Sequence, residues 1–248
     1  MSLPLALVTG GLHRVGAAIA ARLAGAGYDL ALHRRRAGEP DADLVDAMAA
    51  AGVDHAIFSA DLGATGAAEK LFANVAAHFG RAPALIVNNA SLFAEGDIGA
   101  LDEAALGAAL SVNLTAPVLL TQALFAHGGT GVVINILDQR VRNPVPDQIA
   151  YTLSKQALWQ AIQTLAIACA PRIRVNAVAP GLTLPAPGYE AGRMERMAGL
   201  MPLGRLPTPA GIAEAVLYLA KAESVTGQTL FVDGGANLTG YERDFAHL

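Results

Sequence analysis

The sequence predicts an α/β protein, a doubly wound parallel sheet with helices on both faces, on three observations. Short apolar runs alternate with longer alanine-rich stretches along the whole chain. The runs are continuous rather than alternating in polarity. With 53% hydrophobic residues but only seven Phe, five Tyr and one Trp in 248, the core must be built from Ala, Val, Leu and Ile. A continuous apolar strand is one covered on both faces, and right-handed crossovers between such strands give a doubly wound parallel sheet of about seven strands.

The elements follow in order. The first strand is read at Leu5–Thr9, and a glycine turn leads from it into the helix Arg14–Ala26. Strand Asp29–His33 pairs with helix Asp41–Ala51, His55–Ser59 with Thr65–Phe79, and Ala84–Val87 with Asp102–Phe125. Strand Gly131–Ile136 precedes the long helix Ile149–Ala170. After Ile173–Val178 comes an irregular segment rich in Pro, Gly and Met, Leu182–Leu206, then helix Thr208–Ala220 and the last strand, Thr229–Val232. Each helix is bounded by Gly, Pro, Asp or Asn, the residues that stop or cap it. No linker, repeat or low-complexity block divides the chain, so residues 1–248 are read as one domain.

Charge and composition exclude several classes. Seventeen Lys and Arg against 21 Asp and Glu give a net charge of −4 with 15% of residues charged, which fits neither a disordered chain nor a polybasic nucleic-acid binder. The lone Cys169 excludes a disulfide framework, and the six histidines show no metal-ligand spacing, so no metal is expected and a cytoplasmic setting fits. Met1-Ser2-Leu3-Pro4 lacks the basic start of a secretory leader. Between Glu103 and Asp138 only His127 is ionisable, but Asn113, Thr115, Pro117, Thr121 and Gln122 interrupt the apolar surface; this reads as a buried helix rather than a membrane span.

Ligands of such sheets lie beyond the carboxyl ends of the strands, so the residues just after each strand matter most. Thr9-Gly10-Gly11-Leu12-His13-Arg14-Val15-Gly16 is a turn in which glycine permits close approach of a phosphate and the helix N-terminus offers free N–H groups. About twenty residues further on, where an acidic residue would hold a ribose diol, stand His33-Arg34-Arg35-Arg36. Guanidinium groups there favour a 2′-phosphate, hence NADP(H) over NAD. Asp61-Leu62 after the third strand is read either as flanking the adenine or as a cap. Asn88-Asn89-Ala90 after the fourth lines the nicotinamide side. Tyr151 and Lys155, four apart on one helix face, form a pair in which the ammonium tunes the phenol as a proton donor or acceptor.

Together with Asn113, Pro180-Gly181 and Val232-Asp233-Gly234-Gly235, these motifs resemble the short-chain dehydrogenase/reductase family over nearly the whole chain. The resemblance implies a Rossmann-type fold, a nicotinamide cofactor, catalytic Tyr151 and Lys155, and Asn113 in a proton relay. It further implies cofactor contacts from Gly10, His13, Arg14, Val15, Ala90, Ser91, Pro180, Gly181 and Thr183, a substrate lid at 182–206, and a homotetramer or dimer. Two departures narrow it. Arg14 replaces the middle glycine of the turn, and Asp138 replaces a serine thirteen residues before the tyrosine. Both resemble pteridine reductases and related bacterial dihydropterin reductases, which implies a substrate site of Arg14, Ser91, Phe93, Asp138 and Tyr151. A carboxyl group kept partly protonated by burial would help deliver a proton to a ring nitrogen, and Phe93 would stack on the heterocycle. The alternatives are a carbonyl reductase acting on a 3-oxoacyl thioester or small ketone, and an NADP-binding protein without turnover.

Overall fold

The computed structural model describes residues 2–93, 96–185, 189–245 and 247–248. Seven parallel strands form one sheet: β1 (Leu5–Val8), β2 (Asp29–Arg34), β3 (His55–Ser59), β4 (Leu85–Asn88), β5 (Gly131–Ile136), β6 (Ile173–Pro180) and β7 (Thr229–Val232). Their spatial order is β3-β2-β1-β4-β5-β6-β7, so the strand order reverses between β1 and β4. Successive side chains leave opposite faces. Ala6 and Val8 of β1 enter one core layer, Leu5 and Leu7 the other, which is why this central strand is apolar at every position. The edge strand β3 instead alternates between exposed and half-buried residues, a two-period pattern the sequence reading treated as a continuous run.

One face carries α1 (Arg14–Ala24), α2 (Ala42–Ala51) and α8 (Pro209–Lys221); α3 (Ala67–Phe79), α5 (Ala116–Ala126) and α6 (Ile149–Cys169) pack on the other. The α8 helix starts where the sequence signals it: Thr208 Oγ1 accepts the Gly211 N–H at 3.1 Å and Pro209 occupies the first turn. Rows of Ala on α1 let its backbone lie close to α8 and to the sheet.

Two expectations need correction. The helix read as Asp102–Phe125 is α4 (Glu103–Leu110), one π turn at Ser111–Thr115, and α5. Apolar periodicity does not register a single inserted residue, so the sequence could not show the π turn, a feature that in helices often sits at functional sites. The stretch Glu103–Ala126 is long and apolar enough to cross a membrane by composition, yet Ala116, Leu120 and Leu124 pack into the sheet layer. The second correction concerns Leu182–Leu206. It contains a helix, α7 (Arg193–Leu200), whose Met197 is buried together with Met201, Ala236 and Phe245. Residues 186–188 of that segment lie outside the described residues. Its Pro and Gly content masked a short amphipathic helix that is apolar on one side only.

Candidate active site

A cavity of about 620 Å³ opens beyond the carboxyl ends of the strands, beside the reversal of strand order. Its dinucleotide end is the turn between β1 and α1. Gly10 has φ +61° and lies against Ala90, and a methyl group on Gly16 would run into the Gly10 carbonyl and come within 2.7 Å of Asn89 Nδ2. Only hydrogen fits at that position. Asn89 clamps the turn by donating to Thr9 O at 3.0 Å and Gly10 O at 2.9 Å, while Thr9 Oγ1 accepts from the Asn89 and Ala90 N–H groups. The turn is therefore a glycine cradle whose missing side chains leave room for a phosphate, and its residues fit a dinucleotide.

His33 supports this cradle from below. Its Nδ1 accepts the Gly10 N–H at 3.2 Å, which places the proton on Nε2 facing Ala60 O at 3.0 Å. Burial lowers its pKa, as that neutral tautomer requires. Arg34 donates to Ser59 Oγ and Gly38 O, and Arg35 and Arg36 are exposed at the end of β2. Asp61 is exposed and caps a turn through Gly63 N–H, and Leu62 is buried in the core; neither these two nor residues 33–36 line the cavity. Asp41, read only as the start of a helix, instead bonds His13 Nδ1 and the Arg14 N–H, both at 2.8 Å, and so pins the loop after β2 to the glycine turn. Arg14 itself has φ +55°, a left-handed conformation suited to the glycine it replaces, and it faces the cavity with His13, Val15, Ala90 and Ser91.

At the other end, β5 delivers Asp138 and α6 delivers Tyr151 and Lys155. The Tyr151 hydroxyl donates to Asp138 Oδ2 at 2.9 Å. Lys155 Nζ donates to Ile136 O at 2.7 Å and lies 5.8 Å from the Tyr151 ring centre. Burial pulls the Lys155 ammonium down to about 8, with Asp138 pushing the other way. Burial first and then the Asp138 carboxylate push Tyr151 well above the ordinary phenol value, so the phenol keeps its proton. Asp138 differs from the sequence expectation. Its side chain is about one-fifth exposed rather than sheltered, and it acts as acceptor throughout: from Tyr151, from Arg140 N–H at 2.9 Å and from Arg140 Nε at 3.2 Å. Phe93, half exposed, meets the Tyr151 ring edge-on at 4.7 Å and lines the cavity.

The π turn directs Asn113 inward. Its Oδ1 accepts from Leu92 N–H at 2.7 Å and Ser91 Oγ at 3.2 Å, and its Nδ2 donates to Ser154 Oγ and Leu92 O. These bonds tie the segment after β4 to α6, behind Tyr151 and Lys155, and its side chain does not line the cavity. Pro180, Gly181 and Thr183 close the cavity after β6. Sequence reasoning missed Arg140, Tyr189, Asp244 and Phe245, which also line it. Asp138 is singled out by its place thirteen residues before Tyr151, a comparison that does not reach Arg140 two residues later. No comparable signal marks Asp244, beyond the last strand.

Residues 11–237 match the family model described as Enoyl-(Acyl carrier protein) reductase. The chain belongs to the short-chain dehydrogenase/reductase family. Among relatives of this short-chain dehydrogenase/reductase, a Thauera aromatica protein, (2S)-[(R)-hydroxy(phenyl)methyl]succinyl-CoA dehydrogenase subunit BbsC, is 35% identical over 93% of each chain. The (3R)-3-hydroxyacyl-CoA dehydrogenase of Canis lupus familiaris is 32% identical over 93% of this chain and 95% of its own. Among solved structures, FolM Alternative dihydrofolate reductase 1 from Brucella suis, crystallised in complex with NADP, superposes with a TM-score of 0.85 at 38% identity, over 95% of this chain and 96% of the other.

Proposed function

We propose that this short-chain dehydrogenase/reductase reduces the C=N bond of a dihydropterin or dihydrofolate-type ring. The cofactor is NADP(H), which fits the run Arg34-Arg35-Arg36 and the absence of an acidic residue at the end of β2. When bound, it supplies the hydride. The observation that carries the substrate reading is the 2.9 Å bond between Tyr151 and Asp138, a carboxylate where a hydroxyl is customary. An anion beside the phenol opposes phenolate formation and so disfavours alcohol oxidation, but it keeps an acid in place for a reduction in which a ring nitrogen must gain a proton.

Tyr151 donates that proton, Asp138 orients its hydroxyl, and Lys155, fixed by Ile136 O, keeps a cation close enough to limit the charge left on the phenol. Phe93 offers the open face of its ring to a flat heterocycle, with Ser91 and Arg14 at its edges. The 38% identity to the Brucella dihydrofolate reductase supports this reading. The acyl-CoA relatives favour the second one, reduction of a 3-oxoacyl thioester by the same Tyr151 and Lys155. Leu182–Leu206, including α7, is proposed as the substrate lid of a single catalytic domain. Exposed Leu153 and Ile167 on α6 are proposed as part of a homotetramer or dimer contact.

NADPH oxidation measured with dihydrobiopterin, dihydromonapterin and an acetoacetyl thioester tests the assignment. Turnover of a pterin at kcat/KM at least tenfold above the thioester is expected; turnover of the thioester alone overturns it.

A further inference from the structure

Arg140 is 5% exposed, and the structure surrounds its guanidinium with partners from four parts of the chain. Nε donates to Asp138 Oδ1 at 3.2 Å, Nη1 to Gln148 Oε1 at 3.0 Å, and Nη2 to Asp244 Oδ2. Its plane also lies 5.3 Å from the Tyr151 ring centre and 5.7 Å from that of Phe93. One buried cation thus touches the acid's hydrogen-bond partner, the acid's own ring and the aromatic wall of the cavity.

Asp244 reaches this place only because the C-terminal segment is strapped down. Arg243 grips Asp147 with bonds of 2.6 to 3.0 Å, and the Asp244 N–H donates to Asp147 Oδ2 at 2.7 Å. Phe245 packs with Met197 and Met201, and Arg193 of α7 donates to Phe245 O at 2.9 Å. Gln148, the residue just before α6, has φ +47°, a strained conformation, and its side chain accepts from Arg140.

We infer that Arg140 and Asp244 are positioning residues for the proton donor: the C-terminal segment presents Asp244 to Arg140, and Arg140 fixes Asp138 in the orientation that receives the Tyr151 hydroxyl. This rests on Tyr151 as the acid of the proposed reaction, but on neither choice of substrate. The proposed lid adjoins this arrangement, since α7 packs on and donates to Phe245, the residue after Asp244. A buried charge that has lost one partner is costly, so the Asp138–Arg140–Asp244 chain holds or fails as a unit.

The test uses the full chain with fluorotyrosine incorporated, which lowers the pH of phenol titration, and follows Tyr151 by fluorine NMR, assigned by its loss in Tyr151→Phe. Besides Asp138, Arg140 and Asp244, the charged or titratable groups of the cavity wall are Lys155 on α6, Tyr189 from the lid segment, and His13 and Arg14 of the glycine turn. Asp147 is pulled to about 2 by Arg243, so the strap stays ionised above that pH. Asp244→Asn removes an anion and is expected to move the Tyr151 midpoint down; Arg140→Met removes a cation and is expected to move it up. Opposite shifts show that both charges act on the phenol, and the accompanying fall in kcat shows that they also hold the acid in place. Asp244→Asn is isosteric and keeps the strap, so it decides the matter where Arg140→Met fails to fold. In parallel, kcat of Asp244→Asn for whichever substrate the wild type turns over is expected to fall about tenfold with the KM for NADPH within twofold, as for a misplaced acid. A Tyr151 midpoint unmoved in Asp244→Asn, or moved in the same direction by both variants, overturns the inference. A wild type that reduces no pterin overturns the substrate reading alone.

Discussion

At the dinucleotide end of the cavity the turn Gly10–Gly16 is shaped by glycines that leave no room for a side chain and is held by neutral or single side chains bonding its main-chain groups, whereas the chemical end is held by side-chain charges paired with one another across distant parts of the chain. Each end contains one of the two non-glycine residues with positive φ among the described residues, Arg14 opening α1 and Gln148 just before α6. The two strained residues do different things. Arg14 occupies a position whose backbone suits glycine and brings a cation to the cavity; Gln148 accepts from another residue, Arg140. A site built from backbone shape tolerates little change in volume, and a site built from buried charges tolerates little change in ionisation.

The most severe way to break the first kind of construction is Gly16→Ala. With the Gly10 carbonyl and Asn89 Nδ2 in the way, the turn has to open, and the expected result is loss of NADPH binding by fluorescence titration together with destabilisation of roughly 3 kcal/mol in urea melts. Binding within twofold of wild type would show that the cradle yields more easily than its packing implies.

Lys155→Met probes the second kind and separates stability from activity. The Lys155 ammonium is held at about 8, below the ordinary lysine value, mainly by burial. Its folded pKa is lowered, so the cost of burying the charge is fully present below about pH 8 and fades as pH rises toward the unfolded value near 10.4. Without cofactor, Lys155→Met is therefore expected to melt about 5 °C higher at pH 7, the gap closing by pH 10, while turnover falls by about 10³. A lower melting temperature at pH 7 would mean that the Ile136 bond outweighs desolvation.

The mildest change sharpens the role of Arg14. Arg14→Gly relieves a left-handed conformation that costs an arginine roughly 1 kcal/mol, partly offset by the freedom glycine gains in the unfolded chain. Calorimetry is expected to show a melting temperature unchanged or raised by about 2 °C, with NADPH or substrate bound several-fold more weakly. An unaltered affinity for both would leave the arginine without a binding role.

How much of this was legible beforehand follows the same division. Strands β1 and β5 fall within a residue of their sequence-predicted bounds, because a buried parallel strand writes its whole length as an apolar run. Tyr151 and Lys155 were visible because they lie one helical turn apart, and Asp138 because it stands thirteen residues before the tyrosine, where the resembling family has a serine. The π turn at Ser111–Thr115 was not visible, and it turns the Asn113 side chain inward, where it braces Ser91–Leu92 against Ser154. His33 likewise reads as part of the run at a phosphate site, but its ring nitrogens are engaged by Gly10 and Ala60.

By itself, the sequence determined the sheet, the glycine cradle and the tyrosine–lysine helix face, because each depends on residue type within a few positions and on local periodicity. Only the tertiary structure decided that Asp138 shares an arginine with Asp244, 104 residues from Arg140, and that α7 packs against Phe245 of the C-terminal segment. Charge pairing between distant segments leaves no periodic trace in a chain; it exists only once the sheet has brought the ends of β5, α6 and the C-terminal segment to one place.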